Sequence, residues 1–122
     1  MDVFELEWAS DPRVSPDGQS IVYVRRSFEI MSDTGRADLW EVSVDGDFHR
    51  PLSAGSGRST SPRWSPDGRK LAFFSRDSGS SQIHVRWMDT RHTTVISKLQ
   101  QSPSDLAWSP DGQWLAFTME VK

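Results

Sequence analysis

The chain of 122 residues contains no cysteine. That absence excludes a disulfide framework, a thiolate nucleophile and a thiolate zinc site. It leaves the compartment open, because disulfide-free proteins occur on both sides of a membrane. Positive charge is not in excess either: 14 Lys and Arg stand against 17 Asp and Glu, for a net charge of −3. A phosphate-binding surface wants a basic face, so no nucleic-acid partner is expected. No apolar run approaches the roughly 18 residues that a membrane span needs. The N-terminal stretch Met1 to Trp8 is acidic and has no apolar core, so no signal peptide is expected, and both a cytoplasmic and a periplasmic location remain open. Tyrosine occurs once, against six Trp and six Phe. Large rings without polar handles are residues to be buried.

What is present is a folded composition, 35% hydrophobic and 25% charged, with length for one modest core. It is also a repeat. Asp11 to Arg25 reads DPRVSPDGQSIVYVR, Ser61 to Arg76 reads SPRWSPDGRKLAFFSR, and Pro103 to Met119 reads PSDLAWSPDGQWLAFTM. The anchor serines Ser15, Ser65 and Ser109 stand 50 and 44 residues apart. Propeller blades recur at about 40 to 50 residues.

Each copy has the chemistry of a hairpin. In Ser15-Pro16-Asp17-Gly18, Ser65-Pro66-Asp67-Gly68 and Ser109-Pro110-Asp111-Gly112, Pro presets φ, Asp tolerates the next position and Gly takes the left-handed one. An apolar run precedes each turn (Val14, Trp64, or Ala107 with Trp108) and another follows it. The second strands, Ile21 to Val24, Leu71 to Phe74 and Leu115 to Thr118, are nearly continuous in apolar residues. A strand reads so when both faces of its sheet are covered.

Two further strands fit after each of the first two turns. Asp38 to Val44 alternates, with Leu39, Glu41 and Ser43 opposite Trp40, Val42 and Val44, and Asp45-Gly46 then turns into a weak outer strand at Arg50 to Leu52. Gln82 to Met88, a turn at Asp89-Thr90 and Thr93 to Ile96 repeat the plan. The expectation is all-β: a partial β-propeller of ten strands, about two and a half four-stranded antiparallel blades. Its boundaries are a lead-in at 1–10, a first blade at 11–55 with an insertion at 28–37, a second at 61–99 and half a third at 103–122. Asp2 to Glu5 reads as a capping box opening a helical turn. Ser32 to Gly35 reads as the tip of the insertion, and Ser53 to Ser61 as a mobile connector.

Ser-Pro-Asp-Gly followed by Leu71-Ala72-Phe73 or its equivalents resembles the repeat shared by TolB-like propellers and the prolyl oligopeptidase family. The stretches Asp2 to Gly18 and Arg25 to Asp33 resemble the acylaminoacyl-peptidase-like and dipeptidyl-peptidase-like members. The resemblance implies a noncatalytic N-terminal propeller portion of a serine peptidase. In that family a propeller of seven or eight blades sits over an α/β-hydrolase domain and limits which peptides enter. The Ser-Asp-His residues lie in the hydrolase domain, so none carries over to this chain. A TolB-like propeller acting through protein contacts is the alternative.

The chain itself offers little chemistry. A nucleophile elbow reads Gly-x-Ser-x-Gly, and neither Gly55-Ser-Gly-Arg-Ser59 nor Ser78-Gly-Ser-Ser81 matches. His49, His84 and His92 lack metal-ligand spacing. Asp17, Asp67 and Asp111 recur because the turn recurs, on separate blades, not as a calcium site. No cofactor is implied. Trp40, Trp64, Trp87, Trp108 and Trp114 fit the gaps between blades better than a stacking platform. Arg25, Arg26, Arg36 and Asp33 suit a solvated loop or a contact surface. Ten strands cannot close a ring of four or more blades. The edge Trp114, Leu115 and Phe117 is therefore expected to seek a partner, either a second copy of this chain or further blades of a longer protein.

Overall fold

In the computed structural model the described residues are 5–29, 34–52, 58–76, 81–97 and 103–119. They contain ten strands and no helix: β1 (Glu5–Val14), β2 (Ser20–Glu29), β3 (Thr34–Ser43), β4 (His49–Pro51), β5 (Ser59–Trp64), β6 (Lys70–Ser75), β7 (Gln82–Trp87), β8 (His92–Val95), β9 (Pro103–Trp108) and β10 (Leu115–Met119). Neighbours in the chain are neighbours in space. The sheets run β1-β2-β3-β4, β5-β6-β7-β8 and β9-β10, and every pairing is antiparallel.

Two expectations need correction. Residues 5–10 are not a lead-in but the first half of β1, paired from Glu5↔Glu29 to Ser10↔Val24. Glu5 therefore opens a strand instead of closing a capping box, and Asp2 to Phe4 lie outside the described residues. The insertion at 28–37 is not a separate loop. Phe28 pairs with Gly35 and Arg26 with Ala37, so the β2–β3 hairpin is simply longer. Once the ladder is running, each added cross-strand pair satisfies its backbone groups within the sheet. Most of the expected tip and connector, at 30–33 and 53–57, lies outside the described residues.

A feature the turn analysis did not include sits in the first strand of each sheet. Two residues of that strand oppose one on its partner between Ser10 and Arg13 and between Thr60 and Arg63, and β9 shifts likewise against Ala116 to Thr118. The first extra residue is left-handed each time: Asp11 at φ 49°, Ser61 at 57° and Asp105 at 56°. A bulge tolerates the proline that a regular ladder does not. This is why Pro12 and Pro62 can stand inside strands.

The apolar surface is divided into two layers. Val22, Val24, Ala37, Leu39 and Leu52 of the first sheet pack on Leu71 and Phe73 of the second. Ala72, Phe74, Ile83 and Val85 of the second pack on Leu106 of the third, with Leu115 and Trp108 alongside. Leu71 to Phe74 are all buried because β6 is covered on both faces. The same run is only half buried at Ile21 and Tyr23, and Ala116 to Thr118 is exposed. Equivalent positions thus carry different weights. Phe73 is 4% exposed and Phe117, at the same place in its repeat, 39%. Phe73→Ala is expected to cost about 3–5 kcal/mol, and Phe117→Ala less than half as much, as read from urea denaturation midpoints.

Candidate functional site

The repeated turns are built by side chains as much as by backbone. In the first, the Gly18 N–H donates to the Ser15 carbonyl at 2.9 Å and the Ser15 N–H to the Ser20 carbonyl at 2.8 Å. The Ser15 hydroxyl donates to the Asp17 carboxylate at 2.5 Å and accepts from the Ser20 N–H at 3.1 Å. Asp17 also accepts from the Gln19 N–H at 3.0 Å. Ser65-Asp67 and Ser109-Asp111 repeat the arrangement. So does a fourth loop, Ser43-Val44-Asp45-Gly46, where Phe48 N–H donates to Ser43 Oγ at 3.0 Å. Its signal was present as Ser-x-Asp-Gly, with Val where the others have Pro.

Each of these aspartates has its pKa lowered, first by the serine hydroxyl and then by the backbone N–H that it accepts. A lowered folded-state pKa contributes stability that is present above the ordinary value of 3.8 and fades as pH falls through the lower one. Asp67→Asn is therefore expected to lower the melting temperature at neutral pH. That difference should narrow as thermal melts are taken from about pH 5 to about pH 2.

Successive turns touch. A Cβ added to Gly68 would lie 3.4 Å from Cδ of Pro16, and one on Gly112 would lie 3.4 Å from Cδ of Pro66. Their positive φ values of 74° independently require glycine. Beside them runs a second repeated contact between sheets. Trp64 Nε1–H donates to the Arg13 carbonyl at 3.0 Å, and Trp108 Nε1–H to the Arg63 carbonyl at 2.9 Å. The first sheet has Val14, exposed, at that position. Arg63 also pairs with Asp11 at 2.9 Å, and Asp11 with Arg13 at 2.9 Å. Replacing Trp108 by Phe removes the donor and with it the hydrogen bond that joins the third sheet to the Arg63 carbonyl of the second. Urea denaturation should show a loss of about 1–2 kcal/mol, with no comparable loss for Trp114→Phe.

The remaining sites do not converge. His49 accepts from or donates to the Tyr23 hydroxyl at 2.6 Å and packs against Trp40 at 5.0 Å. His84 stacks on Phe73 and His92 lies beside Trp87. Among the described residues no three His, Asp or Glu side chains are placed to share a metal ion. Gly55 and Ser78 fall outside the described residues. Trp64, Trp87 and Trp108 pack against the two layers as expected. Trp114 does not: it is 72% exposed, because nothing in the described structure covers that side of the half sheet. Arg25 lies over Trp40 at 4.8 Å on the outer face of the first sheet, while Asp33 lies outside the described residues.

One buried ion pair escaped the sequence reading. Glu41, 4% exposed, holds the position that Val85 holds in the second sheet and accepts from Arg50 Nη2 at 2.9 Å and Nε at 3.1 Å. The neighbouring Arg86 guanidinium is pushed down by burial, then by Arg91 and Arg50. Its Nη1 reaches the Leu52 carbonyl at 3.3 Å. Strand alternation placed Glu41 with Leu39 but could not show that a partner would reach it from β4.

Sequentially ordered four-stranded antiparallel sheets, stacked face on face with one turn repeated along one end, are the blades of a β-propeller. Residues 36–122 match the TolB beta propeller domain family, and the chain belongs to it. Its relatives include peptidases. It is 30% identical over 121 residues to the uncharacterized peptidase YuxL of Bacillus subtilis, covering 98% of this chain and 18% of that protein. It is 26% identical over 117 residues to dipeptidyl-peptidase 5 of Porphyromonas gingivalis, covering 96% of this chain and 17% of that protein. The fold also matches Pyrococcus horikoshii acylaminoacyl peptidase with a TM-score of 0.74 and 21% identity, over 90% of this chain and 17% of the other. The chain thus spans less than a fifth of the length of these relatives.

Proposed function

We propose that this chain is the noncatalytic N-terminal part of the propeller of a serine peptidase in the prolyl oligopeptidase family, where it limits the access of peptides to an α/β-hydrolase site. The observation that carries the reading is the 30% identity to a peptidase along 98% of the chain. The local chemistry agrees with a scaffold role. The anchor serines are tied into their turns, each donating to the aspartate of its own turn and accepting a backbone N–H, and among the described residues no histidine is hydrogen-bonded to them as a general base would be.

The test is made on the longer polypeptide that carries this segment. A gating propeller predicts that deleting or opening blades raises cleavage of long peptides relative to dipeptidyl or aminoacyl chromogenic substrates. An unchanged ratio, or no hydrolysis with a Gly-x-Ser-x-Gly absent downstream, overturns it. The second outcome favours the other reading, a TolB-like propeller binding proteins, for which the family match over residues 36–122 speaks.

The open side of the third sheet bears on both readings. Among the described residues β10 pairs only with β9. Trp114 and Phe117 stand exposed beside Ile96 and Trp87, along a concavity of about 710 Å³. An uncovered apolar sheet edge recruits another strand. For this 122-residue chain, light scattering after size exclusion is expected to show a dimer whose share grows with concentration. Trp114→Lys with Phe117→Lys should return a monomer, and a wild-type monomer throughout the concentration range refutes self-pairing.

A further inference from the structure

Arg26 and Arg76 hold the same place in successive repeats, each eleven residues after its turn serine. One blade apart, they line a single cleft of about 480 Å³ at the end of the first two sheets remote from the repeated turns. Arg26 Nε–H donates to the neutral Ser10 hydroxyl at 2.9 Å. Arg76 is exposed, and its main-chain N–H donates to the Arg58 carbonyl at 3.2 Å. No carboxylate among the described residues pairs with either guanidinium. Arg58 lines the same cleft, whose wall also includes Trp8, 48% exposed, and Phe28. This cluster of positive charge occurs in a chain whose net charge is −3.

Two guanidinium forks without an acidic partner offer parallel N–H donors matched to the two oxygens of a carboxylate. The adjoining indole and phenyl rings favour a ligand whose anion is attached to apolar substance. The volume lies within the roughly 300–1,000 Å³ of small-ligand sites, so it suits a short peptide end and not a folded domain. A nucleic acid would need a run of cations along its backbone, which the acidic remainder of the chain does not provide. We propose that this cleft binds the C-terminal end of a peptide, its α-carboxylate held between Arg26 and Arg76 and its last apolar side chain against Trp8. The inference rests on the cleft and not on the peptidase reading, and it stands equally for a propeller that binds peptides without cleaving them.

The chain is titrated with acetyl-Ala-Ala-Phe bearing a free carboxylate, with the corresponding C-terminal amide and with inorganic phosphate, following the Trp8 indole N–H by ¹⁵N-resolved NMR. The acid should bind at least about tenfold more tightly than the amide, the size of effect that a charge-assisted pair supports. Arg76→Gln should weaken the acid by a similar factor, while Arg13→Gln, on another surface, should leave it unchanged. Among the described residues no hydrogen bond or ion pair of the fold runs through the Arg76 side chain, so near-ultraviolet circular dichroism should be unaltered. Equal binding of acid and amide, phosphate displacing the peptide at equal concentration, or no shift at Trp8 up to about 1 mM peptide would each overturn the proposal.

Discussion

A four-stranded antiparallel sheet with apolar side chains on both faces cannot shield itself from water; it needs another sheet on each side. Every other feature of this chain follows from that constraint. At about 25 cal/mol per Å² of apolar surface removed from water, the contacts of Val22, Val24 and Leu39 with Leu71 and Phe73, and of Phe74 and Ile83 with Leu106, are the main source of cohesion. Neither layer could form within one sheet. Among the described strands β6 alone places side chains in the buried part of both layers, which is why it is buried from Leu71 through Ser75.

Stacking of this kind leaves register between sheets to be settled by directional contacts. The indole bonds from Trp64 and Trp108 to the preceding Arg13 and Arg63 carbonyls fix each inner strand against its neighbour. The bulges at Asp11, Ser61 and Asp105 re-aim the strands close to these points. Pro16 against Gly68 and Pro66 against Gly112 set the spacing of the turns. The Ser-Asp box then has two roles: it closes its own hairpin and presents the proline ring to the next blade. The same stacking brings Arg26 and Arg76 to the lining of one cleft. Functional surface in such a repeat arises at the joints, where side chains distant in sequence stand one blade apart.

The fold was readable to an unusual degree because turn chemistry and strand pattern repeat three times, and each copy checks the others. Ten strands and their order follow from Ser15, Ser65 and Ser109 with the apolar runs around them. The bulges were less readable: a left-handed residue before Pro12 or Leu106 carries only a weak local signal. The length of the first hairpin was hidden too, since Arg25-Arg26-Ser27-Phe28 shows neither clean alternation nor a turn residue. Strand pairing with Gly35 to Asp38 overrides that poor pattern by satisfying the backbone.

By itself the sequence determined the repeat, the hairpins and the sites where a left-handed glycine must stand, because these depend on residues within a few positions of one another. It also determined the lack of thiol chemistry and of a nucleophile elbow. Only the tertiary structure decided which copies of one motif are buried. Phe73 and Phe117 occupy the same repeat position, yet Phe73 belongs to the sheet that lies between two others, while Phe117 belongs to a two-stranded sheet with a described neighbour on one side only. It likewise decided that Glu41 meets Arg50 and that Arg26 and Arg76 share a cleft. Those outcomes depend on which sheet lies against which, and pairings of that kind span tens of residues and leave no local trace.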